Sequence, residues 1–250
     1  ILSQDQKRTA LVTGGTGGLG TAIAQSLAVR GHQVLVTYYV SENPEEWLAE
    51  QKAAGYDFKA YPVDVSSFES CQELVEKIHA DGFKVEILVN NAGITRDRSF
   101  RRMSLEEWND VLRTNLDSTF NMTKQVIEDM LAAEWGRIIT ISSVNGSKGQ
   151  FGQANYSSAK SGMFGFTKTL ALEFATKGIT VNTVSPGYIM TEMVAQVPQE
   201  IIEEQIIPQI PMRRLGKPEE IGELVAYMSS EAAGFITGAN IAINGGLHMY

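Results

Sequence analysis

Short apolar runs alternate with amphipathic segments along most of this 250-residue chain. Apolar runs rich in β-branched residues are typical of buried strands, whereas apolar positions spaced three and four residues apart are typical of helices. The predicted strands are residues 8–13, 33–39, 57–63, 85–90, 136–142, 179–184 and 240–243. The predicted helical segments are residues 21–30, 44–54, 68–81, 104–133, 156–176 and 218–229.

The alternation of strands and helices determines the predicted architecture. Repeated βα units give a parallel sheet covered by helices. The chain contains no linker, repeat or low-complexity tract, and its length suffices for one large α/β domain. We therefore expect an α/β fold, built as a single doubly wound (Rossmann) domain over residues 1–250, with a mostly parallel sheet and helices on both faces.

Composition argues against several classes of function. A net charge of −8 disfavours a nucleic-acid partner, and no apolar run approaches the ~18 residues of a membrane span. The single cysteine, Cys71, allows no internal disulfide, and no spacing of Cys and His predicts a metal site. Because the N-terminal segment is polar and lacks a secretory signal, the expected location is cytoplasmic.

A glycine-rich loop joins the first predicted strand to the first predicted helix. A dinucleotide site requires this order of strand, loop and helix, because glycines let backbone N–H groups approach a pyrophosphate at the positive end of the helix dipole. The spacing fits two patterns. Gly15, Gly17 and Gly20 fit G-x-G-x-x-G, whereas Thr13 and Gly14 with Gly18 and Gly20 fit T-G-x-x-x-G-x-G.

Polar residues also follow several later strands. Because the carboxyl ends of parallel strands meet at one edge of the sheet, we expect these loops to line one crevice. The residues concerned are Asp64 and Val65, Asn90 to Gly93, Ser142 and Ser143, and Pro186 to Tyr188.

Tyr156 and Lys160 lie four residues apart in a predicted helix, so both face the same side. An ammonium beside a phenol stabilises the phenolate, and we expect it to lower the pKa of Tyr156 from the usual value near ~10. Such a phenol can exchange a proton with an alcohol or ketone oxygen. The pair therefore predicts a proton-transfer site at the edge of the sheet.

Taken together, these motifs resemble those of the short-chain dehydrogenases/reductases. The resemblance rests on the T-G-x-x-x-G-x-G loop, the run 90–93, a serine thirteen positions before Tyr-x-x-x-Lys, and Pro186-Gly187. The interval of thirteen selects Ser143 rather than Ser142, and Asn115 matches the family asparagine. The resemblance covers almost the whole chain.

The resemblance implies a catalytic set of Asn115, Ser143, Tyr156 and Lys160. It implies that a nicotinamide cofactor delivers hydride to a carbonyl carbon, that Tyr156 protonates the alkoxide, and that Ser143 holds the same oxygen. Lys160 is implied to bind the nicotinamide ribose, and Asn115 to hold a water. The implied cofactor-binding residues are Gly14, Thr16, Gly18, Leu19, Gly20, Asp64, Val65, Asn91, Ala92, Gly93, Tyr156, Lys160, Pro186, Gly187 and Ile189.

Residues 91–97, 143–153 and 244–249 are similar to segments of acetoacetyl-CoA reductases of polyhydroxybutyrate synthesis. The similarity implies an acyl-CoA substrate, reduction of acetoacetyl-CoA to (R)-3-hydroxybutyryl-CoA, and a homotetramer. Arg96, Arg98, Arg101 and Arg102 form a basic island that suits CoA phosphates or is a solvated charged turn. By position, the similarity implies a substrate site formed by Asp97, Arg102, Gln150, Phe151, Gln153 and Tyr188.

The coenzyme is predicted to be NADPH, with NADH possible. An NAD site usually carries an acid after the second strand, and residues 36–40 contain none before Glu42. Residues 41–47, however, offer no arginine or lysine for a 2′-phosphate. Two other functions stay open: a 3-oxoacyl-carrier-protein reductase with the same catalytic residues, and a catalytically silent nucleotide-binding regulator, against which the intact catalytic set argues.

Overall fold

The computed structural model describes residues 6–191, 194 and 197–249, and within them seven strands form one sheet. The strands are β1 (Thr9–Val12), β2 (Gln33–Tyr38), β3 (Lys59–Pro62), β4 (Ile87–Asn90), β5 (Gly136–Ile141), β6 (Ile179–Pro186) and β7 (Asn240–Ile243). Their order in the sheet is β3-β2-β1-β4-β5-β6-β7, and every pairing is parallel. The order reverses between β1 and β4, which opens a crevice at the carboxyl ends of these strands.

Helices cover both faces of the sheet, as predicted. The helices are α1 (Gly18–Val29), α2 (Glu45–Ala53), α3 (Phe68–Ala80), α4 (Leu105–Leu112), α5 (Ser118–Ala133), α6 (Val144–Lys148), α7 (Ala154–Phe174) and α8 (Pro218–Met228). On β1, Leu11 belongs to the core beneath α3 and α5, whereas Ala10 and Val12 belong to the core beneath α1 and α8. This division follows from the period of two along a strand.

The long amphipathic stretch predicted over residues 104–133 is two helices rather than one. Ser104 and Glu107 form a capping box at the start of α4, and a π turn, Arg113–Asp117, separates α4 from α5. Such turns carry an extra residue and often occur at functional sites. The amphipathic pattern over residues 104–133 does not mark where α4 ends and α5 begins.

The segment between β6 and α8 is irregular, as its prolines predict. It contains a short helical segment, Gln199–Ile201, followed by a π turn, Ile202–Ile206, and a 3₁₀ turn, Ile207–Gln209. Ile202, Ile210 and Leu215 form a small core of their own beside Tyr188. Within the described ranges, no helix has the length and apolar character needed to cross a bilayer.

Candidate active site

The crevice at the carboxyl ends of the strands encloses about 940 Å³. It runs from the glycine loop past the ends of β2 and β3 to the start of α7. The structure brings all of the predicted cofactor-binding residues to its wall. Those lining it are Gly14, Thr16, Gly18, Leu19, Gly20, Asp64, Val65, Asn91, Ala92, Gly93, Tyr156, Lys160, Pro186, Gly187 and Ile189.

Three glycines of the loop are sterically required. Gly14 has a φ of +59°, and a Cβ there lies 3.1 Å from the Cα of Ala92. A Cβ on Gly15 lies 2.6 Å from the Cβ of Val36, and one on Gly20 lies 2.2 Å from the Gly14 carbonyl oxygen. Gly17 and Gly18 have no such restriction, since their nearest atoms are 3.6 and 4.0 Å away. Each spacing pattern therefore contains two restricted glycines, and the loop satisfies both patterns.

Gly18 and the N-terminus of α1 form a cradle that fits a pyrophosphate. A Cβ on Gly18 meets no atom closer than Thr191, 4.0 Å away, so backbone faces open space. The N-cap residue Gly17 provides no side-chain cap for the first N–H groups of α1. Unpaired N–H groups at a helix N-terminus bind anions. The loop therefore fits the phosphates of the predicted dinucleotide.

Thr13 and Asn91 fasten the glycine loop to the loop after β4. The Thr13 hydroxyl accepts hydrogen bonds from the backbone N–H groups of Asn91 and Ala92, both at 3.0 Å. The Asn91 amide nitrogen donates to the carbonyl oxygens of Thr13 and Gly14, at 2.9 and 3.1 Å. Asn91 thus satisfies backbone carbonyls, and its neighbours Ala92 and Gly93 form the floor of the crevice.

Tyr156 and Ser143 face each other across the inner end of the crevice. Burial raises the pKa of Tyr156 to about 12, while the hydrogen bond with the Ser143 side chain lowers it and the negative charge of Asp97 raises it further. The prediction that Lys160 lowers this pKa below its ordinary value is therefore wrong for this structure. Desolvation of the phenol outweighs the stabilisation of the phenolate.

Lys160 is almost completely buried, 3% exposed. Its Nζ donates to the backbone carbonyl of Ile141 at 2.7 Å and lies 5.4 Å from the centroid of the Tyr156 ring. Burial lowers the pKa of Lys160 to about 7. The inner end of the crevice therefore holds two buried titratable groups, and burial favours the neutral form of each.

Ser142 and Ser143 have different roles although they are adjacent. Ser142 is buried, and its hydroxyl donates to the Lys160 carbonyl at 2.9 Å, which ties the end of β5 to α7. Both serines line the crevice, and Ser143 is the N-cap of α6, where its Oγ accepts from the Asn145 N–H at 3.1 Å. The side-chain hydrogen bond with Tyr156 is made by Ser143, which favours Ser143 as the serine of the predicted catalytic set.

Asn115 lies in the π turn and is fully buried. Its amide nitrogen donates to the carbonyl oxygens of Ile94 and Val111, both at 2.9 Å. Its Oδ1 has no hydrogen-bond partner among the described residues. A Cβ on Gly93 lies 2.5 Å from that Oδ1 and 3.6 Å from the Nζ of Lys160. The orphaned oxygen is therefore placed to accept a hydrogen bond from a small donor beside Lys160.

The predicted substrate residues separate into two groups. Gln153 and Tyr188 line the crevice, and the Gln153 amide donates to Asp97 at 2.8 Å. Gln150, Phe151 and Arg102 do not contribute to its wall. Phe151 is 88% exposed, so the structure does not place it in the wall of the predicted substrate site.

The loop that carries Phe151 is turned outward by its own backbone. It lies between Gly149 and Gly152, which have φ angles of +73° and +81°. Gln150 in this loop accepts a hydrogen bond from Lys148 at 2.9 Å. The basic island is likewise divided, because Arg98 pairs with Glu107 whereas Arg96 lines the crevice.

Asn145, Tyr39 and Glu42 are among the residues of the crevice wall that the sequence does not predict as site residues. Asn145 donates its amide to Gln153 at 2.9 Å and therefore positions that side chain. Tyr39 and Glu42 line the wall beyond β2. Glu42 lies four positions past the end of β2, so its distance along the chain does not indicate a place in the crevice. The turn from Tyr39 to Glu42 brings it to the wall.

A family model described as enoyl-(acyl carrier protein) reductase matches residues 14–248. Acetoacetyl-CoA reductase of Cupriavidus necator is 53% identical over 244 residues, which cover 97% of this chain and 99% of that protein. Nodulation protein G of Azospirillum brasilense is 54% identical over 243 residues, which cover 97% of this chain and 98% of that protein. The 3-oxoacyl-(acyl-carrier-protein) reductase FabG of Escherichia coli (strain K12) is 45% identical over 242 residues, which cover 97% of this chain and 98% of that protein. With these matches and the all-parallel sheet, the chain belongs to the short-chain dehydrogenase/reductase family.

Proposed function

We propose that this protein reduces acetoacetyl-CoA to (R)-3-hydroxybutyryl-CoA, in polyhydroxybutyrate synthesis. The single observation that carries the proposal is the position of the Tyr156 phenol. It is held beside Ser143 in the same crevice as the glycine cradle. Proton donor and dinucleotide site thus share one space, as a carbonyl reduction requires.

The reaction needs a donor that is still protonated when the carbonyl oxygen gains charge. Burial keeps Tyr156 in its acid form, because it raises the phenol pKa to about 12. Tyr156 transfers its proton to the alkoxide oxygen, and Ser143 donates a hydrogen bond to the same oxygen and holds it in place. Lys160 binds the nicotinamide ribose, and Asn115 accepts a hydrogen bond from a water beside Lys160.

The bound nicotinamide dinucleotide supplies the hydride. NADPH is the coenzyme predicted from the sequence, and NADH is the alternative. The cradle at Gly18 accommodates the pyrophosphate of either one, so the choice depends on residues near the adenosine ribose.

The acyl-CoA substrate is supported by the relatives and by the inner wall of the crevice. Gln153 and Tyr188 offer an amide and a phenol to the thioester and its acyl chain. The relative from Cupriavidus necator carries the name acetoacetyl-CoA reductase. The second candidate is 3-oxoacyl-carrier-protein reduction, which the 45% identity to the Escherichia coli enzyme supports.

The assembly and location complete the proposal. We expect a homotetramer, because the family resemblance implies one. We expect it in the cytoplasm, because a single cysteine suits a reducing compartment.

The test follows reduced-coenzyme absorbance in the presence of acetoacetyl-CoA, with chiral analysis of the product. The proposal predicts turnover and the (R)-alcohol. Preference for an acyl-carrier-protein thioester by kcat/KM supports the second candidate, and coenzyme binding without turnover on either thioester supports a silent regulator.

A further inference from the structure

The end of the crevice beyond β2 is built around a tight turn. The backbone N–H of Glu42 donates to the Tyr39 carbonyl at 2.8 Å, and the Glu42 Oε2 accepts from the Tyr39 N–H at 3.2 Å. This reciprocal pair closes the turn and holds the carboxylate close to the end of the strand. Tyr38, Tyr39 and Glu42 all line the crevice.

This turn lies where the adenosine ribose of a dinucleotide binds in a doubly wound fold. The end of β2 is joined to the glycine cradle by two hydrogen bonds, from the Gly14 N–H to the Thr37 hydroxyl at 3.1 Å and from the Gly15 N–H to the Thr37 carbonyl at 2.9 Å. In this fold the acceptor for the ribose hydroxyls follows the second strand. Glu42 is therefore an acceptor at the correct edge, although it is displaced along the chain.

No cation balances this carboxylate in the part of the chain that the structure describes. Arg96 and Lys160 are the two basic residues of the crevice wall, and neither belongs to this end. Arg96 follows β4, and Lys160 is buried on α7 against Ile141. Lys52 is the one lysine or arginine within residues 31–58, and it lies in the last turn of α2.

The first turn of α2 adds negative charge. Glu45 and Glu46 occupy that turn. A 2′-phosphate carries about −1.5 to −2 charges near pH 7 and needs a cation such as arginine. A carboxylate instead accepts hydrogen bonds from free ribose hydroxyls, and it repels a phosphate.

We infer that Glu42 makes this protein select NADH over NADPH, by accepting hydrogen bonds from the adenosine ribose and repelling a 2′-phosphate. The inference rests on the proposed function only in taking a nicotinamide dinucleotide as the coenzyme. It departs from the NADPH preference predicted from the sequence. Because Glu42 is exposed to solvent, the repulsion is screened by salt, and the selectivity falls as ionic strength rises.

Equilibrium binding tests the inference without turnover. Calorimetric titrations with NADH and NADPH give two dissociation constants. Titrations with 5′-AMP and adenosine 2′,5′-bisphosphate probe the adenosine end alone. We expect NADH to bind at least about tenfold more tightly than NADPH at low salt. Adenosine 2′,5′-bisphosphate should bind more weakly than 5′-AMP, because it carries the same additional 2′-phosphate.

Three variants assign the effect to one carboxylate. Glu42→Gln should reduce the NADH preference, and Glu42→Arg should reverse it. Glu50→Gln removes an exposed carboxylate of α2 outside both the crevice wall and the first turn, and it should leave the preference unchanged. Circular dichroism confirms that each variant is folded.

Equal or tighter binding of NADPH by the unmodified protein overturns the inference. An unchanged ratio in Glu42→Arg overturns it as well. Failure of the proposed function gives a different result, since a protein that binds NADH selectively but does not turn over acetoacetyl-CoA contradicts only the proposed substrate.

Discussion

The ammonium nitrogen of Lys160 lies 5.4 Å from the ring centroid of Tyr156 and donates its hydrogen bond to a backbone carbonyl instead. The ammonium thus lies over the face of the phenol ring in a cation–π arrangement, while its hydrogen bond goes to the Ile141 carbonyl. Burial governs both groups, because it raises the phenol pKa to about 12 and lowers the ammonium pKa to about 7. A phenol that burial keeps protonated suits the proton donor of the proposed reaction.

Lys160→Ala should reduce both turnover and coenzyme affinity. The substitution removes the ammonium that we propose binds the nicotinamide ribose, and with it the cation that lies over the Tyr156 ring. Steady-state kcat and an independent coenzyme Kd measure the two effects. If affinity alone falls while kcat is retained, Lys160 has no part in proton transfer.

Removing the buried ammonium should also change how stability depends on pH. Lys160 has a pKa of about 7 in the folded protein against an ordinary value of 10.5. Between these values the unfolded chain binds a proton that the folded protein does not. Raising the pH from 7 towards 10 therefore stabilises the folded state. Below pH 7 both states carry the proton, and the cost of burying it is fully present.

Urea denaturation of the unmodified protein and of Lys160→Met at pH 7, 8.5 and 10 measures this effect. The difference in unfolding free energy between the two proteins should move in favour of the unmodified one as the pH rises. A difference that stays constant from pH 7 to 10 contradicts the lowered pKa.

Gly93→Ala should damage the site through Asn115. The new Cβ lies 2.5 Å from Oδ1 of Asn115, whose amide is fixed by two hydrogen bonds and cannot move aside. We expect a loss of about 1–3 kcal/mol of stability from overpacking, together with lower kcat.

Gly165→Ala is the matched control for that change. Gly165 lies in α7 with open space around its Cβ position. The substitution should stabilise the helix by roughly 0.5–1 kcal/mol without altering kcat. Thermal denaturation and steady-state kinetics compare the two variants, and normal kcat in Gly93→Ala removes Asn115 from the mechanism.

Arg102→Ala should raise KM for acetoacetyl-CoA and affect kcat less. Arg102 is exposed on the 3₁₀ turn Phe100–Arg102, outside the crevice wall, so we expect it to interact with solvent-exposed phosphates of CoA. The effect should therefore shrink at high salt. Lys52→Ala removes an exposed charge elsewhere and serves as the control. Equal KM values for both variants contradict a role of the basic island in CoA binding.

The sequence predicted the parts of this protein that depend on local pattern. Gly14, Gly20 and Tyr156 lie where their motifs predict, because loop geometry and helical spacing are encoded within a few residues. The fold followed from the alternation of strands and helices. Counting positions back from Tyr156 selects Ser143 rather than Ser142. The structure shows a physical difference between them, because the Ser142 hydroxyl is occupied by its hydrogen bond to the Lys160 carbonyl.

Other features depend on burial or on long-range contacts and could not be predicted. The π turn at Asn115 does not interrupt the apolar pattern. The pKa of Tyr156 follows from the depth of the crevice rather than from the spacing to Lys160. Phe151 is turned outward by two flanking glycines, and Glu42 reaches the crevice through a turn that its distance from β2 conceals.

The most direct test of the account is the rate of acetoacetyl-CoA reduction by Tyr156→Phe. The substitution removes one oxygen and with it the proton that the account assigns to the product alkoxide. We predict a fall in kcat of about 10²- to 10⁴-fold, with coenzyme Kd changed little. Turnover by Tyr156→Phe within a few-fold of the unmodified rate would contradict the mechanism.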